Sequence, residues 1–519
     1  MRRVNSLMRS ESTIAILSLF LVAFLAVVLR MYNIEYFQVM TSDEAVYAQS
    51  SYAISRGYIP YRDVFLAHPP IYFLASSFWM ILVGATLFNA RSLNVLFGIC
   101  TMVSIYFMCR KLYSTKVAVI ASFFYTVLPF AVFFDRIFIV DNALGLLSIL
   151  TVFAFLTYNK YGSFRYLLLS GFLAGLSLMT KFTAFQLILF ILIALLLKKR
   201  FKHIGWFLLA ILPIPLFIGA LLLTSGILPL FLQDTLYLQF LNRIFSHTLM
   251  EKSYFLALYF FWVLPFLSLA VFAMISPKAD EDRLITLWYL IPFTLIISGS
   301  YVFLQYFICL NAPLSILAAL AVSRLQIPLS LRQLAKMRTK FSLDKMLLIF
   351  IWLFFVAASL YFTVGTTQGN YENRIAQETK IQSANYIKSV TESIDKIWAT
   401  DASIAFLAQR IIVTPDSEYY KYQGFFSGSL AYSEDGTYKG PFTTELPTLL
   451  HLSQILSAWQ EDKPKVIVIV RTSFLDRLIL NGIENPNYSE PGLKQYLTSH
   501  YRLTKTFNPG GIEVWERIV

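Results

Sequence analysis

Eleven apolar runs, each long enough or nearly long enough to cross a bilayer, constrain this chain more than any other feature. They occupy roughly 12–32, 92–109, 117–134, 140–157, 166–180, 182–197, 204–224, 254–276, 284–299, 301–323 and 346–364. About twenty apolar residues span the hydrocarbon core, so the 166–197 pair reads as a short, tight hairpin. Composition agrees, with 57% of 519 residues hydrophobic and a mean hydropathy of +0.62, against about 45–50% apolar in soluble domains. The chain is therefore expected to be an α-helical polytopic membrane protein. Its three cysteines, Cys100, Cys109 and Cys309, fall inside apolar runs with no zinc-like spacing, and are expected to be packed rather than bridged. No cleavable signal is expected, because the first apolar run leads straight into an acidic loop without a small-residue cleavage site.

A twelfth run, 69–84, is ambiguous, and positive charge decides it. If 69–84 does not cross, one face receives Arg2, Arg3 and Arg9, then Arg110, Lys111 and Lys116, Lys160 and Arg165, Lys198 to Lys202, Lys278 and Arg283, and the run from Arg324 to Lys345. That is 20 of the 28 basic residues up to 364, as the positive-inside rule requires. The expected topology is about eleven spans with the N-terminus inside, 69–84 lying along the outer surface, and the C-terminus outside. Asp43-Glu44, Asp135-Arg136, Asp141-Asn142, Lys181 and the loop 225–252 then share the outer face. The basic excess belongs to the membrane part, so nucleic-acid binding is not implied; residues 365–519 carry 15 basic and 17 acidic residues.

The organisation reads as a membrane domain, 1–364, with an outer loop at 33–91, and an extracytoplasmic α/β domain, 365–519. In the latter an amphipathic stretch at 376–390 precedes the apolar segment 397–401. Lys465-Val466-Ile467-Val468-Ile469-Val470 suits a strand buried on both faces, and Gly511-Ile512-Glu513-Val514-Trp515 follows a helical stretch. Residues 420–442 read as an exposed loop, and Asn487-Tyr488-Ser489 fits a glycosylation sequon. This domain is expected to recognise a partner or cover the site.

Chemistry concentrates in the first outer loop. Carboxylates at a bilayer edge are costly to keep and mark a site or a substrate path. Asp43-Glu44 is followed by Pro60-Tyr61-Arg62-Asp63 and His68-Pro69-Pro70, a mixture of acidic, cationic and aromatic groups that suits a phosphate-bearing lipid and a sugar. Transfer of a sugar from a lipid phosphate to a hydroxyl needs a carboxylate for the acceptor proton, cations for the leaving phosphate and a dry cavity for the lipid. Asp43 is the candidate base; its alternative role is a helix cap, since Ser42-Asp43 precedes the helical-looking 44–56. Glu44 supports it or points away on the same helix. Asp135, Arg136 and Asp141 are site candidates or a salt-bridged loop tip. Lys181 reads as a phosphate contact, with Arg62 or Arg56 sharing the anion, or as a snorkelling lysine. His68 is a phosphate donor, a metal ligand or neither. The residues leave a divalent cation open.

These residues resemble a known group. Asp43-Glu44-Ala45-x-Tyr47-Ala48, Gly57-x-x-Pro60-Tyr61-Arg62-Asp63, His68-Pro69-Pro70-x-Tyr72 and Phe88-Asn89-Ala90-Arg91 are similar to the first outer loop of the polyprenyl-phosphate-sugar-dependent glycosyltransferases of the GT-C class. That class includes protein O-mannosyltransferases and the lipid A aminoarabinose transferase. Phe134-Asp135-Arg136-(x4)-Asp141 resembles their second acidic loop and Leu178-Met179-Thr180-Lys181 their Leu-Thr-Lys segment. The resemblance covers about 12–325 and implies an inverting transfer on the outer face of the cytoplasmic membrane. The donor it implies is a dolichyl- or undecaprenyl-phosphate sugar and the acceptor a hydroxyl on protein, lipid or glycan. Asp43 would be the base, and Lys181 and the loop arginines would address the phosphate. Two positions depart from the pattern: Ala67-His68 stands where the aminoarabinose enzymes carry an acidic-basic pair, and Gln305-Tyr306 where many relatives have His-Tyr. The rival readings are a lipid-linked sugar transporter or flippase, for which matching Gly/Pro-broken halves are lacking, and an anchored recognition protein, for which one span would suffice.

Overall fold

The structure, a computed structural model, describes residues 2–237, 247–324, 371–412, 459–470 and 491–518, with four single helical residues at 357, 361, 365 and 456. Nearly all of run 346–364, the loop 420–442 and Asn487-Tyr488-Ser489 lie outside the described residues.

Five helical stretches are long and apolar enough to cross a membrane: Leu87–Leu112, Val140–Tyr161, Phe201–Thr224, Leu249–Ile275 and Leu304–Arg324. Shorter apolar helices accompany them, among them Ala15–Met31, Thr115–Val127, Phe164–Leu178 and Phe182–Leu197. The chain is an integral membrane protein. Several expected runs are interrupted rather than continuous. Pro129 opens a separate helix, Pro129–Phe134, after Thr115–Val127, and Pro213 starts Pro213–Thr224 after Phe201–Ile211. Proline tolerates a first helical turn and breaks an interior one. Run 301–323 begins as a 3₁₀ turn, Leu304–Leu310, before Asn311–Arg324.

The ambiguous run is the helix Ile71–Val83. Its 13 residues are as many as those of Thr115–Val127. It buries Tyr72, Phe73, Ser76, Ser77 and Met80 and exposes Phe78, Ile81 and Leu82.

Among the described residues, Lys111, Lys198, Arg200 and Arg324 of the expected basic clusters gather at one end of the bundle. Tyr161 donates to the Lys111 carbonyl (3.2 Å), Asn159 donates to Asp280 (3.0 Å), and Asp280 pairs with Lys198. Arg200 lies over Tyr158, and Arg324 pairs with Asp282. Helix Val140–Tyr161 carries Asp141 in its first turn and ends at this basic cluster. Its 22 residues separate the acidic and basic groups by about 30 Å.

The C-terminal region builds a five-stranded sheet ordered β2-β1-β3-β5-β4. Its strands are β1 (Lys396–Ala399), β2 (Ile411–Ile412), β3 (Val466–Val470), β4 (Tyr501–Phe507) and β5 (Ile512–Arg517). β1 runs parallel to β2 and β3, while β5 is antiparallel to β3 and β4. β3 is buried along its whole length, because alternate residues enter two cores. Val466, Val468 and Val470 face the larger one, and Ile467 and Ile469 pack with Trp398, Trp459, Leu497 and Tyr501. The amphipathic stretch is the helix Tyr371–Val390, tied to the sheet by Tyr386 donating to Glu516 (2.7 Å).

This sheet unit docks on the first loop. Gln49 donates to the Arg410 carbonyl (3.0 Å), Tyr52 to the Gln409 carbonyl (2.9 Å), and Gln409 to the Ala85 carbonyl (3.0 Å). Asn373 donates to Gln38 (2.7 Å) and Gln377 accepts from the Met40 amide (3.0 Å).

Candidate active site

The helix Ser42–Ser55 presents the acidic pair. Its cap is Thr41, whose hydroxyl accepts from the Glu44 amide (3.3 Å), so Asp43 is relieved of the capping role and sits in the first turn. Successive helical residues lie about 100° apart around the axis, and the two acids diverge accordingly.

Glu44 turns into the protein. It is fully buried, and Arg91 holds it through both oxygens, Nε to Oε1 at 2.7 Å and Nη2 to Oε2 at 2.8 Å. The Phe138 amide donates to Oε1 as well (3.0 Å). Arg91 also donates to the Ile34 and Gln38 carbonyls. Of the two expectations for Glu44, support of Asp43 or pointing away on the same helix, its geometry is the second: it ties helix Ser42–Ser55, helix Leu87–Leu112 and the 135–139 loop together. A buried charge needs such partners, since an unpaired one is prohibitively costly.

Asp43 turns the other way. Gln305 Nε2 donates to its Oδ2 at 3.1 Å. Burial pushes the Asp43 carboxyl above its ordinary range, the Lys181 ammonium pulls it back, and Asp141 adds to the rise. An acid in that condition is poised to accept a proton.

Lys181 and Asp141 form a buried pair, Nζ lying 2.7 and 2.8 Å from the two carboxylate oxygens. Lys181 stands on an extended link between the helices Phe164–Leu178 and Phe185–Leu197, and Asp141 opens helix Val140–Tyr161. Lys181 is 4% exposed, so it is buried rather than snorkelling. Its ammonium lies over the Tyr306 ring at 5.1 Å.

A small cavity adjoins this pair. Asp141 and Tyr306 line it together with Leu144, Ser148, Thr183, Gln186, Leu187, Trp288, Pro292 and Cys309. One part of its wall is charged and hydrogen-bonding, and the rest is mainly apolar. His68 joins from the first loop, its Nε2 2.9 Å from the Tyr47 hydroxyl. Burial and the nearby Lys181 hold the imidazole well below its ordinary range, so it is neutral at pH 7. Burial and the fields of Asp43 and Asp141 likewise keep the Tyr47 phenol protonated.

The remaining candidates are engaged elsewhere. Asp135 is bound by Arg30 (2.8 Å) and Tyr125, and it packs against Gly98, where a Cβ would collide with its carboxylate. Arg136 lies over Phe37 at 3.8 Å and donates to the Tyr32 carbonyl. Burial, with Arg91 and Arg30 beside it, pulls Arg136 down to about 9. Instead of a loop tip, 135–141 is therefore a buried junction. Arg62 is exposed and pairs with its neighbour Asp63 (2.9 Å), and Arg56 is exposed. Among the described residues no group of three His, Cys, Asp or Glu converges to hold a metal ion.

The sequence points to no role for Arg30, although it closes an apolar run where a lone charge signals a buried partner, and it marks Tyr306 only as part of Gln305-Tyr306.

Residues 67–224 match the family model described as dolichyl-phosphate-mannose-protein mannosyltransferase. No curated protein matches the sequence. Among solved structures, the fold is similar to that of ArnT from Cupriavidus metallidurans bound to undecaprenyl phosphate. That match has a TM-score of 0.67 at 14% identity and covers 98% of each chain. It is also similar to the archaeal oligosaccharyltransferase AglB from Archaeoglobus fulgidus, in complex with an inhibitory peptide and a dolichol-phosphate. There the TM-score is 0.52 at 12% identity, covering 98% of this chain and 75% of that one. The chain thus resembles the GT-C polyprenyl-phosphate-sugar glycosyltransferases in a sequence segment and in fold along nearly its whole length.

Proposed function

We propose that this chain is an inverting glycosyltransferase that moves a sugar from a polyprenyl monophosphate, dolichyl or undecaprenyl, to a hydroxyl on a protein, lipid or glycan acceptor. The observation that carries the reading is that Asp43 lies within electrostatic reach of the buried Asp141–Lys181 pair, whose Asp141 lines a mainly apolar cavity. A general base and a phosphate-directed cation are two requirements of this chemistry, and they come from separate segments, helix Ser42–Ser55 and the link that carries Lys181.

In the proposed reaction the acceptor hydroxyl oxygen attacks the anomeric carbon from the face opposite the phosphate. Asp43 takes the hydroxyl proton as the new C–O bond forms. The bond from the anomeric carbon to the phosphate oxygen breaks, its electron pair staying on that oxygen, where Lys181 offsets the developing charge. One displacement inverts the configuration. Asp141 holds Lys181 in place before the donor arrives and then faces the transferring sugar. Neutral His68, through Tyr47, offers a hydrogen-bonding wall, and Glu44, Asp135 and Arg136 fix the loops that carry the site.

The domain assignment is a transferase unit, 1–364, and a sheet domain, 365–519, both presenting their working surfaces outside the cytoplasm. Two features support the sidedness: the sheet unit bonds to the loop that bears Asp43, and the basic clusters gather at the opposite end.

The test is transfer from radiolabelled polyprenyl-phosphate sugars in membranes, comparing wild type with Asp43→Asn at equal expression. Transfer lost in the variant supports the reading. Equal transfer in both proteins removes Asp43 from the chemistry and sinks the assignment of the base.

A further inference from the structure

The 3₁₀ turn Leu304–Leu310 touches both halves of the site with two consecutive side chains. Gln305 donates its amide N–H to Asp43 Oδ2 at 3.1 Å, and Tyr306 sets its ring 5.1 Å from the Lys181 ammonium. The turn itself is held by its neighbours: Phe307 stacks on Tyr259 at 4.3 Å and the Tyr306 amide donates to the Phe303 carbonyl. A 3₁₀ turn advances about 120° per residue, so consecutive side chains diverge and reach two different partners.

We propose that Gln305 is the positioning residue for Asp43, fixing one carboxylate oxygen so that the other is left for the acceptor hydroxyl. Tyr306 performs the matching service for Lys181, so one rigid turn sets the separation of base and cation. The proposal rests on the transferase reading for its consequence in turnover, but its geometric content stands on Asp43 alone.

The amide donor acts on Asp43 against a defined background. Asp141 on helix Val140–Tyr161 and the burial of the site oppose ionisation, and Lys181 from the hairpin link favours it. Tyr47 on Asp43's own helix and Tyr306 on the turn also face the carboxylate, and His68 bonds to Tyr47. An N–H donated to a carboxylate favours its charged form, so Gln305 opposes the effect of burial.

The test uses the full-length protein in membranes and reads Asp43 directly. Dicyclohexylcarbodiimide reacts with protonated carboxyls, and the labelled peptide is quantified by mass spectrometry across a pH series. In Gln305→Met, labelling of Asp43 at neutral pH is expected to rise about tenfold, the factor expected for one hydrogen bond to a charged group. Gln305→Glu, nearly the same shape, is expected to raise it at least as much and covers the case in which the Met variant does not fold. In transfer assays Gln305→Met should lower kcat and move the acid limb upward while leaving the donor KM in place. Labelling in either folded variant that matches wild type overturns the proposal. Labelling that rises in a protein whose wild type transfers no sugar keeps the positioning role and overturns the transferase reading instead.

Discussion

Lys181 Nζ donates to both oxygens of Asp141, at 2.7 and 2.8 Å, with both side chains less than a tenth exposed. The anion that an incoming lipid phosphate would replace is thus already present as a side chain. Asp141→Asn removes that competitor and is expected to tighten binding of undecaprenyl phosphate about tenfold, the scale of one charge-assisted contact. Trp288 lines the same cavity, so its fluorescence on titration reports the affinity; weaker binding in the variant would place Asp141 among the groups that hold the lipid.

The Glu44–Arg91 pair is fully buried at both ends. Arg91→Met leaves a buried carboxylate without its counter-charge, which costs about 3–5 kcal/mol. A large fall in the thermal midpoint in detergent is expected. Glu44→Gln/Arg91→Met should recover part of it, because the desolvated charges disappear together. No recovery in the double variant would mean that the Arg91 bonds to Ile34 and Gln38, rather than the charge pair, hold this junction.

Burial raises the Asp43 carboxyl in the folded protein, partly offset by Lys181. The folded state therefore holds this proton more tightly than the unfolded chain, whose value is about 3.9. Ionising Asp43 costs stability; the cost is absent below the unfolded value, grows as pH rises towards the folded value and is complete above it. Asp43→Asn is expected to melt higher than wild type near pH 8, with the gap closing near pH 4, while sugar transfer is abolished. The wild-type rate should fall with acidification above the ordinary carboxylate range. A variant that melts lower than wild type at neutral pH would contradict this account.

The sheet unit meets helix Ser42–Ser55 through backbone carbonyls of Gln409 and Arg410, to which Tyr52 and Gln49 donate. Gln409 itself adopts a left-handed backbone (φ 54°), which exposes these groups to the helix. Tyr52→Phe/Gln49→Ala removes two bonds worth about 1 kcal/mol each. Faster proteolysis between the membrane part and the sheet unit is expected, together with reduced transfer. Unchanged proteolysis would assign the docking to the bonds of Gln38 and Met40 with helix Tyr371–Val390.

The sequence by itself determined the membrane class, the grouping of the described basic loops at one end, a helix at 71–83 and the strand at 466–470. Each follows from a local property: apolar length, the charge of short loops, or a run with no polar face. It also singled out Asp43, Asp141 and Lys181, since a charge bordering an apolar run must be satisfied by something. Only the tertiary structure decided which partner satisfies each. Asp43 and Glu44 are identical in local context, yet one meets an amide and the other a guanidinium 47 residues away. Asp135 and Arg136, adjacent to each other, do not pair but answer to Arg30 and Phe37. Ion pairing is set by which helix faces come together across the bundle, and that depends on the packing of all helices at once. No window of sequence contains it.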